Sequence, residues 1–221
     1  MKVFRQSLRN RLVHWIIAIS CLALIITGIL QMPVAKRYGL IKLADWCGDY
    51  GFTLNLHYAF AAVFTGACIF HLLIHTFEGD FAIVPRRGDV RASVQIMRAI
   101  VTGSEEPPSA KYLPEQRLAW AFFLSSFALV IVTGFIKTFK NLEGIDLPDP
   151  LLFWLAQIHN LGFVLSLIAF VGHMAAFAIK ANRFLLPAMI SGWVDATYVK
   201  HRHPLWETEE KLRYSDDPET D

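Results

Sequence analysis

Six of the chain's eight histidines fall within or beside long apolar stretches. An ionisable side chain in hydrocarbon is expensive, and its default reading is a functional one. Four of the six form two pairs at one spacing: His57 with His71 and His159 with His173, each 14 residues apart. Fourteen residues is close to four helical turns, so both members of a pair point the same way, about 21 Å apart along the axis. In a hydrocarbon layer about 30 Å thick, that puts one imidazole near each face. Low-spin haem iron takes an axial ligand on each side of the ring, so two helices offering imidazoles at two levels predict two stacked haems. A single buried histidine is more simply a hydrogen-bonded core residue; the repeated spacing argues for ligation. A non-haem metal would recruit carboxylates or cysteines at the same depth, and the apolar stretches hold almost none. A proton relay would not require the spacing.

The second and fourth apolar stretches run in the same direction, so His57 and His159 share one level and His71 and His173 the other. His14 sits at that second level too, which leaves three candidates for two ligand positions. Internal symmetry favours His71 with His173. Arg11-Leu12 precedes Thr27-Gly28 just as Arg117-Leu118 precedes Thr133-Gly134, and this repeat places Trp120 where His14 stands. His75 reads as interfacial, and His201 and His203 as tail residues. Small residues beside the histidines, such as Gly66, Gly162 and Gly172, suit a flat ring, although close helix packing gives the same composition.

The elements that must position these groups are visible in hydropathy. The chain is 54% hydrophobic and 18% charged, with a mean hydropathy of +0.40, which is more apolar than soluble domains. Four stretches, about 12–32, 54–77, 118–139 and 151–179, are each long enough to cross a bilayer as a helix. The expected fold is all-α: an integral membrane four-helix bundle, one domain over 1–221, with a surface helix and tail over 183–221. The first stretch exceeds a signal-peptide h-region and has no A-x-A-like cleavage site after it, so it is expected to be retained. Lysines and arginines concentrate in the N-terminal tail, the second loop (Arg86, Arg87, Arg91, Arg98, Lys111, Arg117) and the C-terminal tail, which includes Lys211 and Arg213. The first loop has only Lys36, Arg37 and Lys42, and the third Lys137 and Lys140. Both termini are therefore expected to be cytoplasmic. A net charge of +2 gives no reason to expect nucleic acid.

Within the second loop, Arg91–Val101 has helical apolar spacing with interspersed arginines, an interfacial helix, and Pro107-Pro108 breaks the chain after it. Phe184–Val199 reads as a second surface helix, and Ser215–Asp221 as disordered. Cys21, Cys47 and Cys68 form no C-x-x-C pair, and the first and last of them read as packing residues. The absence of C-x-x-C-H excludes covalent c-type haem.

Several segments carry a family likeness. They are Arg11-Leu-Val-His14-Trp15, Leu56-His57, Lys111-Tyr112 with Gln116, Val132-Thr133-Gly134, and His159 through His173. The most specific are Gly192-Trp193-Val194 and His201-Arg-His203-Pro204-x-Trp206. On these the chain resembles, over nearly its whole length, the cytochrome b (gamma) subunit of membrane-bound formate dehydrogenases. The resemblance implies two b-type haems, the outer held by His57 and His159 and the inner by His14 and His173. It implies a bacterial inner-membrane location, an iron–sulfur subunit and an outer catalytic subunit as partners, and a quinone (menaquinone or ubiquinone) reduced beside the inner haem. The chain departs from the family's Asn-x-Gly element, carrying Leu113-Pro114-Glu115 there. Gln116 matches, and Glu115 beside it is the candidate proton carrier; its alternative reading is a solvated carboxylate paired with Lys111 or Arg117. Related cytochrome b subunits serve hydrogenases and sulfur-compound reductases, and a haem-free anchor or transporter is the rival of a different class.

Overall fold

The computed structural model describes residues 1–40, 50–140 and 145–206. The expectations for Lys42, Cys47, Lys211, Arg213 and Ser215–Asp221 lie outside the described residues. The elements run β1 (Lys2–Phe4), α1 (Leu8–Gln31), α2 (Pro33–Arg37), α3 (Tyr50–Phe77), α4 (Asp89–Thr102), α5 (Pro114–Phe139) and α6 (Asp149–Ala175). Two 3-10 turns, Ala176–Ala178 and Lys180–Leu185, lead to α7 (Leu186–Ile190), β2 (Trp193–Asp195) and α8 (Ala196–Arg202). The described residues are all-α apart from one two-stranded ribbon. Helices α1, α3, α5 and α6 are long and apolar enough to cross a membrane, and only 11% to 22% of each span is buried within the chain.

Helices α1, α3 and α5 start four residues before their apolar runs and α6 two before, and at α1 and α5 capping rather than hydropathy sets the start. Ser7 caps α1, its hydroxyl accepting from Asn10 N–H at 3.2 Å. Gln116 Oε1 turns back to accept from Leu113 N–H at 3.1 Å, closing the start of α5 with Pro114 in the first turn. Helix α1 stops at Met32, extended at ψ 144°, as the residue before Pro33 must be. The amphipathic α4 lies where the second loop was expected to be helical, and Gly88 (φ +93°) and Gly103 (φ +70°) bound it in left-handed conformations.

The chain packs as two compact units. One comprises Ser7–Gly79 and Ala128–Leu167: α1, α2, α3 and the membrane-interior parts of α5 and α6. Several of its hydroxyls turn back onto their own helix, as a lipid-facing unit requires. Buried Ser20 returns its hydroxyl to Ile16 O at 2.6 Å, and Arg9 pairs with Glu78 at 2.6 Å where α1 starts and α3 ends.

The other unit comprises Met1–Gln6, Asp80–Phe127 and Ile168–Asp221 and has a small core of Ala188, Val194 and Trp206 against Val3, Leu185 and Val199. Strands β1 and β2 pair antiparallel with Val3 opposite Val194. Buried Arg5 lies between the rings of Tyr112 and Trp206, at 5.4 and 5.2 Å, and donates to Lys111 O. Buried Asp89 takes a two-pronged bond from Arg117, at 2.6 and 2.8 Å. Breaking such a pair from one side costs about 3–5 kcal/mol.

Phe184–Val199 is not one helix. Pro187 supplies no N–H to a continuing helix, and Gly192, at φ +89°, reverses the chain into β2. Nor is His203 a solvated tail residue. It is 1% exposed, with Nδ1 donating to Ala110 O at 2.6 Å. Burial, reinforced by the Arg5 guanidinium, pushes it down to about 4, so it is the neutral imidazole at physiological pH.

Candidate functional site

His57 lies on α3, and its Nδ1 is 2.8 Å from Thr27 Oγ1 on α1. Thr27 is buried and its hydroxyl proton goes to Ala23 O, 2.8 Å away in the preceding turn. The oxygen then has only lone pairs to offer the imidazole, so Nδ1 carries the proton and donates. His159 on α6 repeats the arrangement with Thr133 on α5: Nδ1 is 2.9 Å from Oγ1, and the hydroxyl donates to Leu129 O at 2.6 Å. In both rings the proton is held at Nδ1 and the Nε2 lone pair is left for a metal, the outer-sphere arrangement that fixes a histidine ligand's tautomer and plane.

The glycine after each threonine lies against the ring, and at Gly134 a Cβ would crowd it, whereas at Gly28 it would make ordinary contact. A Cβ on Gly28 would sit 3.6 Å from His57 Cε1, and one on Gly134 would sit 3.2 Å from His159 Cε1. Gly162 has another job. A Cβ there would meet Val130 Cγ1 at 2.7 Å, so its absence lets α5 and α6 close on one another.

His57 and His159 belong to the same unit. They lie within electrostatic reach of each other, and Lys137 lies within reach of both. His14 and His71 are in that unit too, again within electrostatic reach of one another, with His71 packed edge-on against His75 at 4.5 Å. His173 falls in the other unit, flanked by Phe123 at 5.9 Å and Phe177 at 5.8 Å. The structure thus places His57 and His159 in one unit, while His14 and His173 occupy different units. Among the described residues, no three His, Cys, Asp or Glu side chains are arranged to hold an ion. A haem iron needs only two.

Glu115 and Gln116 open α5. Glu115 is half-buried, and its Oε2 is enclosed without a hydrogen-bond partner. Arg117 is committed to Asp89 and to Tyr112 O, at 2.7 Å. The Lys111 ammonium lies over the Tyr112 and Trp206 rings. Neither hydrogen-bonds to Glu115 among the described residues, although the Arg117 and Arg202 guanidiniums lie within its electrostatic reach. Gln116 spends its carbonyl oxygen on the helix cap, so only its Nε2 is left to donate to a bound molecule.

A family model for prokaryotic cytochrome b561 matches residues 5–192. The chain belongs to the prokaryotic cytochrome b561 family. No curated protein matches it. As a cytochrome b561, it is a membrane-embedded electron-transfer protein that binds b-type haem. His57 and His159 fit that group: two imidazoles within reach of each other, with matching tautomers, each beside a glycine. Sequence reasoning found these histidines and noticed the Thr-Gly pairs without giving them a role. The signal was there, since Arg11 and Arg117, Ser20 and Ser126, and Thr27 and Thr133 all share one offset of 106 residues. Lys137 gave no such signal, its reach to both histidines being a matter of packing.

The threonines have a testable consequence. Thr27→Val and Thr133→Val keep the shape of the side chain but remove the acceptor, so haem affinity should fall about 10- to 100-fold. The midpoint potential should also rise, because an imidazole that no longer donates from Nδ1 is the poorer electron donor to iron. Haem titration and spectroelectrochemistry of the two variants measure both effects, with Thr→Ser expected to restore them.

Proposed function

We propose that this cytochrome b561 is the di-haem subunit of a membrane-bound respiratory oxidoreductase of the formate dehydrogenase type. In this reading it accepts electrons from an iron–sulfur subunit at the outer face and delivers them to a quinone at the cytoplasmic face. The observation that carries the haem half is the repeated threonine–histidine hydrogen bond at His57 and His159. The inner pair, His14 with His173, rests on the sequence resemblance alone, as do the partners. The distribution of lysine and arginine supports cytoplasmic termini, and the prokaryotic family with the four apolar helices supports a bacterial membrane. When bound, haem supplies one-electron redox chemistry; the chain supplies the axial imidazoles, their orientation and an apolar surround. A hydrogenase or sulfur-compound reductase complex is the alternative setting. It draws support from Leu113-Pro114-Glu115, where the formate dehydrogenase pattern is broken.

Purified protein should contain two haems per chain, extractable with acidic acetone because no attachment motif exists. A pyridine haemochrome assay checks this, and one haem or none per chain would overturn the di-haem reading.

Quinone reduction consumes two protons with two electrons, so a proton-carrying group must stand near the acceptor. In this reading Glu115 fills the role, with Gln116 Nε2 as a donor to the quinone carbonyl. Glu115→Gln keeps the volume and removes the exchangeable carboxyl. Losing a positioned proton donor typically costs 10²- to 10⁴-fold in rate. Quinone reduction should fall by about that much while both haems stay bound and reducible by dithionite. An unchanged rate under conditions where this step limits turnover would leave Glu115 without the role.

A further inference from the structure

The chain leaves α6 through the turns Ala176–Ala178 and Lys180–Leu185, where the apolar span stops. There β1, the second turn and β2 surround a cleft of about 570 Å³, within the range of small-ligand sites. Phe184 and Trp193 line it, with Lys2, Lys180 and Arg183 around them. The cations come from separate parts of the chain, Lys2 from β1 and the others from the turn that follows the span.

The one carboxylate in the cleft, Asp195, is already engaged. Its Oδ1 accepts from Thr197 and Tyr198 N–H at 2.8 and 3.1 Å as the cap of α8. Arg183 is fixed in place: Nε and Nη2 donate to Phe177 and Ala178 carbonyls at 2.9 and 3.5 Å, which ties its charge to the end of the span. Three cations against one engaged carboxylate favour an anion. The surroundings narrow its class. Phe184, Ile190 and Trp193 are 56%, 71% and 44% exposed, an apolar surface beside the cations at the membrane boundary. Aromatic side chains and cations just beyond a span are the pairing that headgroups meet. A free anion would satisfy the cations and leave the apolar surface wet, whereas an amphiphile satisfies both.

We propose that this cleft binds the phosphate headgroup of an anionic phospholipid, with its acyl chains in the adjoining hydrocarbon. Lys2 and Lys180 supply the adjustable charges and Arg183 the fixed one. The bound lipid ties the N-terminal strand to the end of span four.

The test uses full-length haem-loaded protein in detergent, titrated with dioleoyl phosphatidylglycerol or dioleoyl phosphatidylcholine, with bound lipid counted by native mass spectrometry. Wild-type protein should bind phosphatidylglycerol at least tenfold tighter than phosphatidylcholine. At about fivefold per cation near a headgroup, Lys2→Gln with Lys180→Gln should weaken phosphatidylglycerol binding about 25-fold and leave phosphatidylcholine unchanged. The visible spectrum of the double variant reports whether it has folded, and Lys180→Gln alone, expected to lose about fivefold, serves if it has not. Lys200→Gln, on α8 outside the cleft, should behave as wild type. Equal affinity for the two lipids would overturn the proposal. So would a Lys200→Gln loss as large as that of Lys180→Gln, which would mean diffuse surface charge. Displacement of phosphatidylglycerol by millimolar inorganic phosphate at constant ionic strength would identify a free-phosphate site and also overturn it.

Discussion

His159→Ala should leave a protein that holds one haem where the wild type holds two, and His57→Ala should give the same product. The two imidazoles are in one unit, within electrostatic reach of each other, and each has its Nδ1 proton fixed by a threonine, so both present Nε2 as donor. If they serve one iron, removing either leaves a single axial ligand, and a non-covalent haem held on one side is lost in purification. The double variant should then lose no more haem than either single one, because groups that act as a unit are non-additive. Pyridine haemochrome stoichiometry and low-temperature optical spectra of the three proteins measure this. Loss of two haems from the double variant and one from each single variant would show that the histidines serve different irons. A general folding defect is recognised by His159→Gly grown with imidazole. The free base should restore the second haem if the cavity is intact and only the ligand is missing.

How much of this was legible beforehand depended on what each residue answers to. The four spans follow from hydropathy, which responds only to solvent, so their existence was plain. Their starts were less so, because Ser7 and the Leu113–Gln116 bond are chosen by orphan backbone N–H groups. The paired histidines were readable since spacing on a helix is geometry. The tail was misread for a physical reason. Pro187 and Gly192 were in plain view, yet their effect depends on Val194 finding Val3 almost the whole chain away. The His201–Trp206 segment, which hydropathy has no reason to produce, acquires a structural rationale. Arg202 bonds Glu106 and Asn182 at 2.9 and 2.6 Å, His203 bonds Ala110, and Trp206 packs on Arg5. These contacts join three distant stretches of sequence, which no local pattern announces. Glu115 opens α5, and Arg117 does not hydrogen-bond to it because Asp89 captures that guanidinium, a pairing across 28 residues.

The second large effect concerns the inner haem, where symmetry and resemblance disagree. Repetition of the hairpin favours His71 with His173, because Trp120 occupies the position equivalent to His14. The match at Arg11–Trp15 favours His14. The structure adds that His71 packs edge-on against His75 at 4.5 Å, so its ring already has an aromatic neighbour on its own helix, one turn on. His14 likewise has Trp15 edge-on at 5.5 Å, so ring neighbours do not separate the two, and the choice of His14 rests on the Arg11–Trp15 match. On this reading His14→Ala should remove the inner haem completely while the outer haem keeps its spectrum. His71→Ala should retain both haems and shift the inner potential only slightly, through loss of a neighbouring imidazole. Redox titration of each variant, followed at the haem absorbance maximum, separates one-haem from two-haem behaviour by the number of Nernstian steps. Haem loss from His71→Ala alone would restore the symmetric pairing and remove His14 from the site.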